Sequence, residues 1–114
     1  MLKQDYIYNG KIINIVDGDT LDIMIDLGFN VYVKERFRLA RINTPELTSK
    51  LEDEKFAAQK AKEWLLNFSN KDVIFKSIKK DKYGRYIAEL FVTKNSVSIN
   101  KQLLDLGLAK PYLD

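Results

Sequence analysis

Two changes in hydrophobic period predict an α+β, mainly β fold. Apolar and polar residues alternate through roughly the first forty positions, the period of half-buried strands. Helical spacing then takes over for about twenty residues before alternation returns. At 114 residues the chain has the length of a single domain, 1–114.

The first expected strand covers residues 6–16. Ile13 and Ile15 are set for one face and Ile12 and Val16 for the other, with Asn9-Gly10 as a candidate bulge or turn. Asp17-Gly18 is a hairpin signal. Leu21, Ile23 and Ile25 then alternate with Asp22, Met24 and Asp26. Leu27-Gly28-Phe29-Asn30 turns the chain again, and Val31, Val33, Phe37 and Leu39 carry a third strand that extends to Ile42. Pro45 ends it, because proline has no ladder donor and pushes Thr44 out of the helical region.

Ser49-Lys50-Leu51-Glu52 fits a capping box for an amphipathic helix. Ala57, Ala61, Trp64, Leu65 and Phe68 share one of its faces, which places Trp64 in the core, and the helix ends between residues 67 and 70. Val73, Phe75 and Ile78 mark a fourth strand, and residues 86–92 a fifth. Ser98 is a fit N-cap for a short second helix with Ile99, Leu103 and Leu106 inward and Gly107 at its end. The order β-β-β-α-β-β-α, with a helix between strands three and four, is that of a five-stranded OB-fold barrel.

Absences narrow the chemistry. With no cysteine and no histidine, the chain has no disulfide, thiolate nucleophile, Ser-His triad or thiolate- or imidazole-ligated metal. Any bound cation must be hard and oxygen-liganded, calcium or magnesium. A net charge of +3 and a pI near 9.0 admit a polyanionic partner. No apolar run nears the roughly 20 residues of a membrane span, and the N-terminal residues lack a signal-peptide pattern. A cytoplasmic, monomeric, soluble protein is the expectation, with a trimmed secreted form left open.

Three polar clusters fall at strand ends or turns: Asp17-Gly18-Asp19-Thr20, Arg38 with Asn43-Thr44-Pro45-Glu46, and Asp81-Lys82-Tyr83-Gly84-Arg85. Each alone fits a turn or a solvated loop. Basic residues gather at Lys34, Arg36, Arg38 and Arg41 and again over 76–85, with Tyr32, Tyr83 and Tyr86 interleaved, a pattern suited to unpaired nucleic acid. Arg38 and Arg85 can make paired planar hydrogen bonds to phosphate that lysine cannot reproduce. Glu46 is the nearest group able to orient or deprotonate a water.

Taken together and in this order, the clusters resemble the staphylococcal-nuclease (thermonuclease-like) family from about Gly10 to Lys110. The resemblance implies a calcium-dependent phosphodiesterase that cuts DNA and RNA to leave 5′-hydroxyl and 3′-phosphate ends. Carried over, Arg38, Glu46 and Arg85 match its catalytic residues, Asp19 a calcium-ligating aspartate, and Thr44 a threonine that ligates through its carbonyl. Tyr83 and Lys82 fall beside the expected nucleotide, and Tyr112 matches part of a tyrosine pair. Asp17 is assigned a turn or supporting role.

The chain departs from the family pattern at Asn43, where a second ligating aspartate is expected. Its loop after Glu46 is also shorter, and the sequence stops at Asp114, before the family's C-terminal helix. The competing readings are a catalytically silent OB module that binds single-stranded nucleic acid or nucleotides, which Asn43 favours, and a protein-interaction barrel. An amide ligates calcium without a charge, and ligand charge sets affinity at such sites. Asn43→Asp is therefore expected to tighten calcium binding measured by titration calorimetry, and an unchanged affinity would refute the assignment.

Overall fold

A computed structural model describes residues 6–78, 80 and 83–113. Strands β1 (Ile7–Asp17), β2 (Thr20–Asp26) and β3 (Tyr32–Leu39) form an antiparallel meander. The short β4 (Ile42–Asn43), helix α1 (Glu52–Leu65) and a 3₁₀ turn (Leu66–Phe68) follow. Next come β5 (Asp72–Ile78), β6 (Tyr86–Phe91), α2 (Ile99–Asp105) and the short β7 (Lys110–Pro111). Five strands close a barrel in the order β1-β2-β3-β6-β5, the expected architecture, and β4 and β7 form a separate two-stranded sheet. No helix among the described residues is long and apolar enough to cross a membrane.

Alternation explains the barrel. Ile12, Leu21, Ile23, Val73, Phe75 and Leu90 point inward and are buried, with Phe37 edge-on to Phe75 at 5.1 Å between centroids. Each such side chain contributes about 1.5–3 kcal/mol of burial. Helix α1 lays Ala58, Ala61 and Leu65 against the barrel, while Trp64 is half-buried against it and Phe68.

Several local expectations are corrected. Asn9 and Gly10 sit in register opposite Asp26 and Ile25; the irregularities of β1 fall instead between Ile12 and Asn14 and between Ile15 and Asp17. Gly10 is required by space, since a Cβ there would lie 2.6 Å from Ile23 Cγ2 inside the barrel. Val31 belongs to the β2–β3 turn, and β3 stops at Leu39 because Arg41 takes a left-handed φ of 61° before β4. The capping box does not form. Leu51 is the N-cap of α1 without a side-chain bond, while Ser49 Oγ accepts from Leu51 N at 3.2 Å and donates to Glu54. Ser98 does cap α2, accepting from Lys101 N at 3.0 Å, and Gly107 follows it at φ 74°. Leu106, however, is 57% exposed, and buried Asn100 faces inward on α2 instead.

Closure depends on the one parallel pairing of the barrel, β3 with β6, which aligns Phe37, Arg38 and Leu39 with Tyr86, Ile87 and Ala88. Asn100 sits across this seam. Its Nδ2 donates to Ala40 O at 3.0 Å and Ala88 O at 3.1 Å, and its Oδ1 accepts from Leu90 N at 3.1 Å. Truncation would take this amide from Ala40 O and Leu90 N, while Ala88 O would keep its bond from Ala40 N at 2.9 Å. Asn100→Ala is expected to cost about 2–4 kcal/mol in urea unfolding; a loss below about 0.5 kcal/mol would show the seam to be self-sufficient.

Candidate functional site

The β1–β2 turn carries Asp17 and Asp19 at one mouth of the barrel. Gly18 is needed there for close approach rather than for a left-handed conformation: a Cβ would fall 2.6 Å from Ala61 Cβ and 3.0 Å from Thr44 Oγ1. The turn is thus pressed between α1 and the segment after β4. Asp19 is buried, and its carboxylate spans both sides, Oδ2 accepting from Thr44 N at 3.1 Å and Oδ1 from Thr20 Oγ1 at 3.1 Å. Asp17 Oδ1 accepts from Asp19 N at 3.1 Å. Burial first, then its hydrogen bond and repulsion with Asp19, push the Asp17 carboxyl up to about 6.

Arg38 is 4% exposed. Its Nη2 donates to Ile42 O at 2.7 Å and reaches Asn43 Oδ1 at 3.4 Å, a weak contact. The β4–β7 pairing, Ile42 with Pro111 and Asn43 with Lys110, brings the chain end back, and Tyr112 N donates to Arg41 O at 2.9 Å. The Tyr112 ring then lies 4.4 Å below the Arg38 guanidinium. Arg85 immediately precedes β6. In the parallel β3–β6 register Arg38 is level with Ile87, two residues beyond Arg85. Arg85 is exposed and stacks over exposed Tyr83 at 5.2 Å. Lys82 lies outside the described residues.

Glu46 is exposed beyond Pro45 and opens onto a cleft of about 470 Å³ with Asn43 and Thr44. The fold therefore gathers Asp19, Asn43, Thr44 and Arg38 through direct contacts, sets Glu46 beside them in the cleft, and brings Arg85 to the adjoining strand. The cleft also contains Asp53 and Glu54 from α1 and Lys110 from β7. The sequence reading missed these residues; their only signal was the acidic first turn of α1. It also missed the Asp22 network: Arg36 Nε donates to Asp22 Oδ1 at 2.8 Å and Asn14 Nδ2 to Oδ2 at 3.1 Å. The Arg36 hydrogen bonds hold the Asp22 carboxyl below its ordinary value.

The side-chain oxygens at the turn are those of Asp17 and Asp19; Thr44 meets Asp19 through its backbone N–H, and Asn43 Oδ1 faces Arg38 Nη2. Two observations fit a hard cation there. The Asp17–Asp19 repulsion is of the kind a cation relieves, and Thr44 Oγ1 is buried without a partner among the described residues. No group of three acidic side chains able to hold a metal ion converges among the described residues.

The family described as "Staphylococcal nuclease homologue" matches residues 36–113. The chain is 30% identical to an uncharacterized protein of Methanocaldococcus jannaschii over 93% of its own length and 60% of that protein's. It is 32% identical to an uncharacterized protein of Bacillus anthracis over 86% of its own length and 44% of that protein's. The chain thus spans about half the length of these relatives.

The raised Asp17 carboxyl has a consequence for metal-free protein. A carboxyl whose folded value, about 6, exceeds its ordinary 3.8 loses stability as pH rises between those values. Asp17→Asn, which mimics the protonated form, is expected to match the unaltered protein below about pH 4. Above about pH 6 it should gain about 1 kcal/mol, since water screens a half-buried group. Urea melts in chelator across that range test this, and a pH-independent difference would refute it.

Proposed function

The chain belongs to the staphylococcal nuclease homologue family, and from that premise we propose that it hydrolyses phosphodiester bonds of single-stranded or locally melted DNA, and of RNA, with calcium as cofactor. The products would carry 5′-hydroxyl and 3′-phosphate ends. The observation that supports this reading is the β3–β6 seam, which pairs the strand of Arg38 with the strand that Arg85 immediately precedes, together with the Asp19–Thr44 contact.

A phosphodiester is already an anion, and attack by water adds charge to its non-bridging oxygens. Arg38 is held by the Ile42 carbonyl and the Tyr112 ring, so its planar donors are oriented before substrate arrives. Arg85, on the exposed side, supplies a second guanidinium as charge develops. Glu46 faces the cleft where a water would approach and orients or deprotonates it. Calcium would be held by Asp19, Asn43 Oδ1 and the Thr44 carbonyl, with Asp17 behind them, and when bound supplies Lewis-acid charge neutralisation. Tyr83 and Lys82 are assigned to the nucleotide. Tyr112 acts on substrate through the arginine it stacks with.

Cleavage of end-labelled single-stranded DNA across a calcium titration, with a chelator control, tests the reading. Cutting should require calcium and be lost in Glu46→Gln, and Arg85→Ala should lower turnover by about 10²–10³. Absence of cutting at millimolar calcium, with salt-sensitive binding retained, would leave a binding module in its place.

A further inference from the structure

The fold splits the basic run at Lys34, Arg36, Arg38 and Arg41. Arg41 turns aside at its left-handed φ and pairs with Glu89. The other three keep strand alternation. In the β2–β3 register Ile25, Ile23 and Leu21 meet Val33, Glu35 and Phe37, with the three β2 residues buried in the barrel. Tyr32, Lys34, Arg36 and Arg38 therefore form one outward row, each about 6.6 Å from the next and about 20 Å in all. Its inner end is the Arg38 of the candidate site.

Of the acidic neighbours, Asp22 is ion-paired, while Asp26 and Asp72 line the groove beside Tyr32. Asp22 is 4% exposed under Arg36, whose guanidinium remains 62% exposed while making that pair. Asp26 Oδ1, next to Tyr32, accepts from Gly28 N at 2.8 Å. Beyond Tyr32 the hairpin turns on three successive left-handed residues, Gly28, Phe29 and Asn30, at φ 80°, 55° and 59°. Leu27 N donates to Val31 O and Val31 N to Gly28 O, both at 2.9 Å, so the turn is hydrogen-bonded. This framework holds Phe29 in solvent at 98% exposure, with Tyr32 at 59%. Tyr32 also walls a groove of about 580 Å³ with Met24 and Lys11.

We propose that the outer face of the β2–β3 hairpin is an extended subsite for a single nucleic-acid strand, with phosphates along Arg38, Arg36 and Lys34 and bases stacked on Tyr32 and Phe29. The inference rests on the nuclease reading and deepens it. Cations at strand spacing match a repeating polyanion, and an aromatic face accepts any unpaired base. A rigid turn presents Phe29 at little ordering cost.

The test is binding of a labelled DNA dodecamer and of a dinucleotide, in chelator, across a salt series. Phe29→Ala and Tyr32→Ala should each weaken dodecamer binding about ten-fold without changing the salt slope. Lys34→Gln should reduce that slope by about 0.7. The dinucleotide, too short to reach the tip from Arg38, should bind both aromatic variants as it binds the unaltered protein. All three positions are exposed, and thermal melts verify that the variants fold. Unchanged dodecamer affinity in the aromatic variants, or an equal loss for the dinucleotide, would overturn the proposal. So would loss of binding to anionic lipid vesicles in Phe29→Ala with dodecamer affinity intact, which would assign the tip to a lipid surface. Calcium-dependent cutting with strand affinity indifferent to the hairpin would remove the subsite and leave the nuclease. Length-dependent losses in a protein that never cuts would do the reverse.

Discussion

Everything at the candidate site depends on one parallel seam. Four of the five pairings in the barrel are antiparallel, and only β3 with β6 is not. Parallel pairs are slightly weaker per residue, and this one is three residues long. The Asn100 amide compensates by tying Ala40, Ala88 and Leu90 from one buried point on α2. Because the strands are parallel, residues entering β6 align with residues along β3. That direction starts β6 level with the Arg38 end of β3, with Arg85 just before it, although 46 intervening residues separate the two arginines in sequence.

A second constraint is the Asp19 carboxylate. It accepts from the backbone of Thr44, 25 positions away, and so fixes the first turn of the meander to the segment that follows β4. Gly18 lets the turn sit against Ala61 closely enough for this. Burial at this turn, and then the hydrogen bond and charge of Asp19, raise the Asp17 carboxyl. Packing and charge oppose each other there.

Strand alternation, helical spacing and the caps at Ser98 and Gly107 made the barrel and α2 legible in the sequence. What escaped was tertiary. Asn100 reads as a polar helix residue, and only the closed barrel reveals three backbone partners around it. Leu106 fits the helical stripe but lies past the last turn that touches the barrel. The capping box failed because Ser49 bonded Leu51 and Glu54 in a local turn, and the helix began later. Gly18 was rightly placed in a hairpin but for turn conformation, whereas its requirement is space. At the site, motif order singled out Arg38, Glu46 and Arg85 as candidates. The β4–β7 pairing that places Tyr112 under Arg38 left only a two-residue trace on each side.

The two arginines illustrate how the fold distributes order. Arg38 is buried, hydrogen-bonded to Ile42 O and stacked on Tyr112, so its side-chain entropy is lost during folding. Arg85 is exposed and stacks over Tyr83, outside the buried seam. A phosphate held first by Arg38 would bring Arg85 into play only as the strand settles across the seam. The outward row of β3 begins at Arg38, whose guanidinium is buried and held by Ile42 O and the Tyr112 ring. Geometry at the centre is thus set by the barrel, and adaptability is confined to its exposed edge.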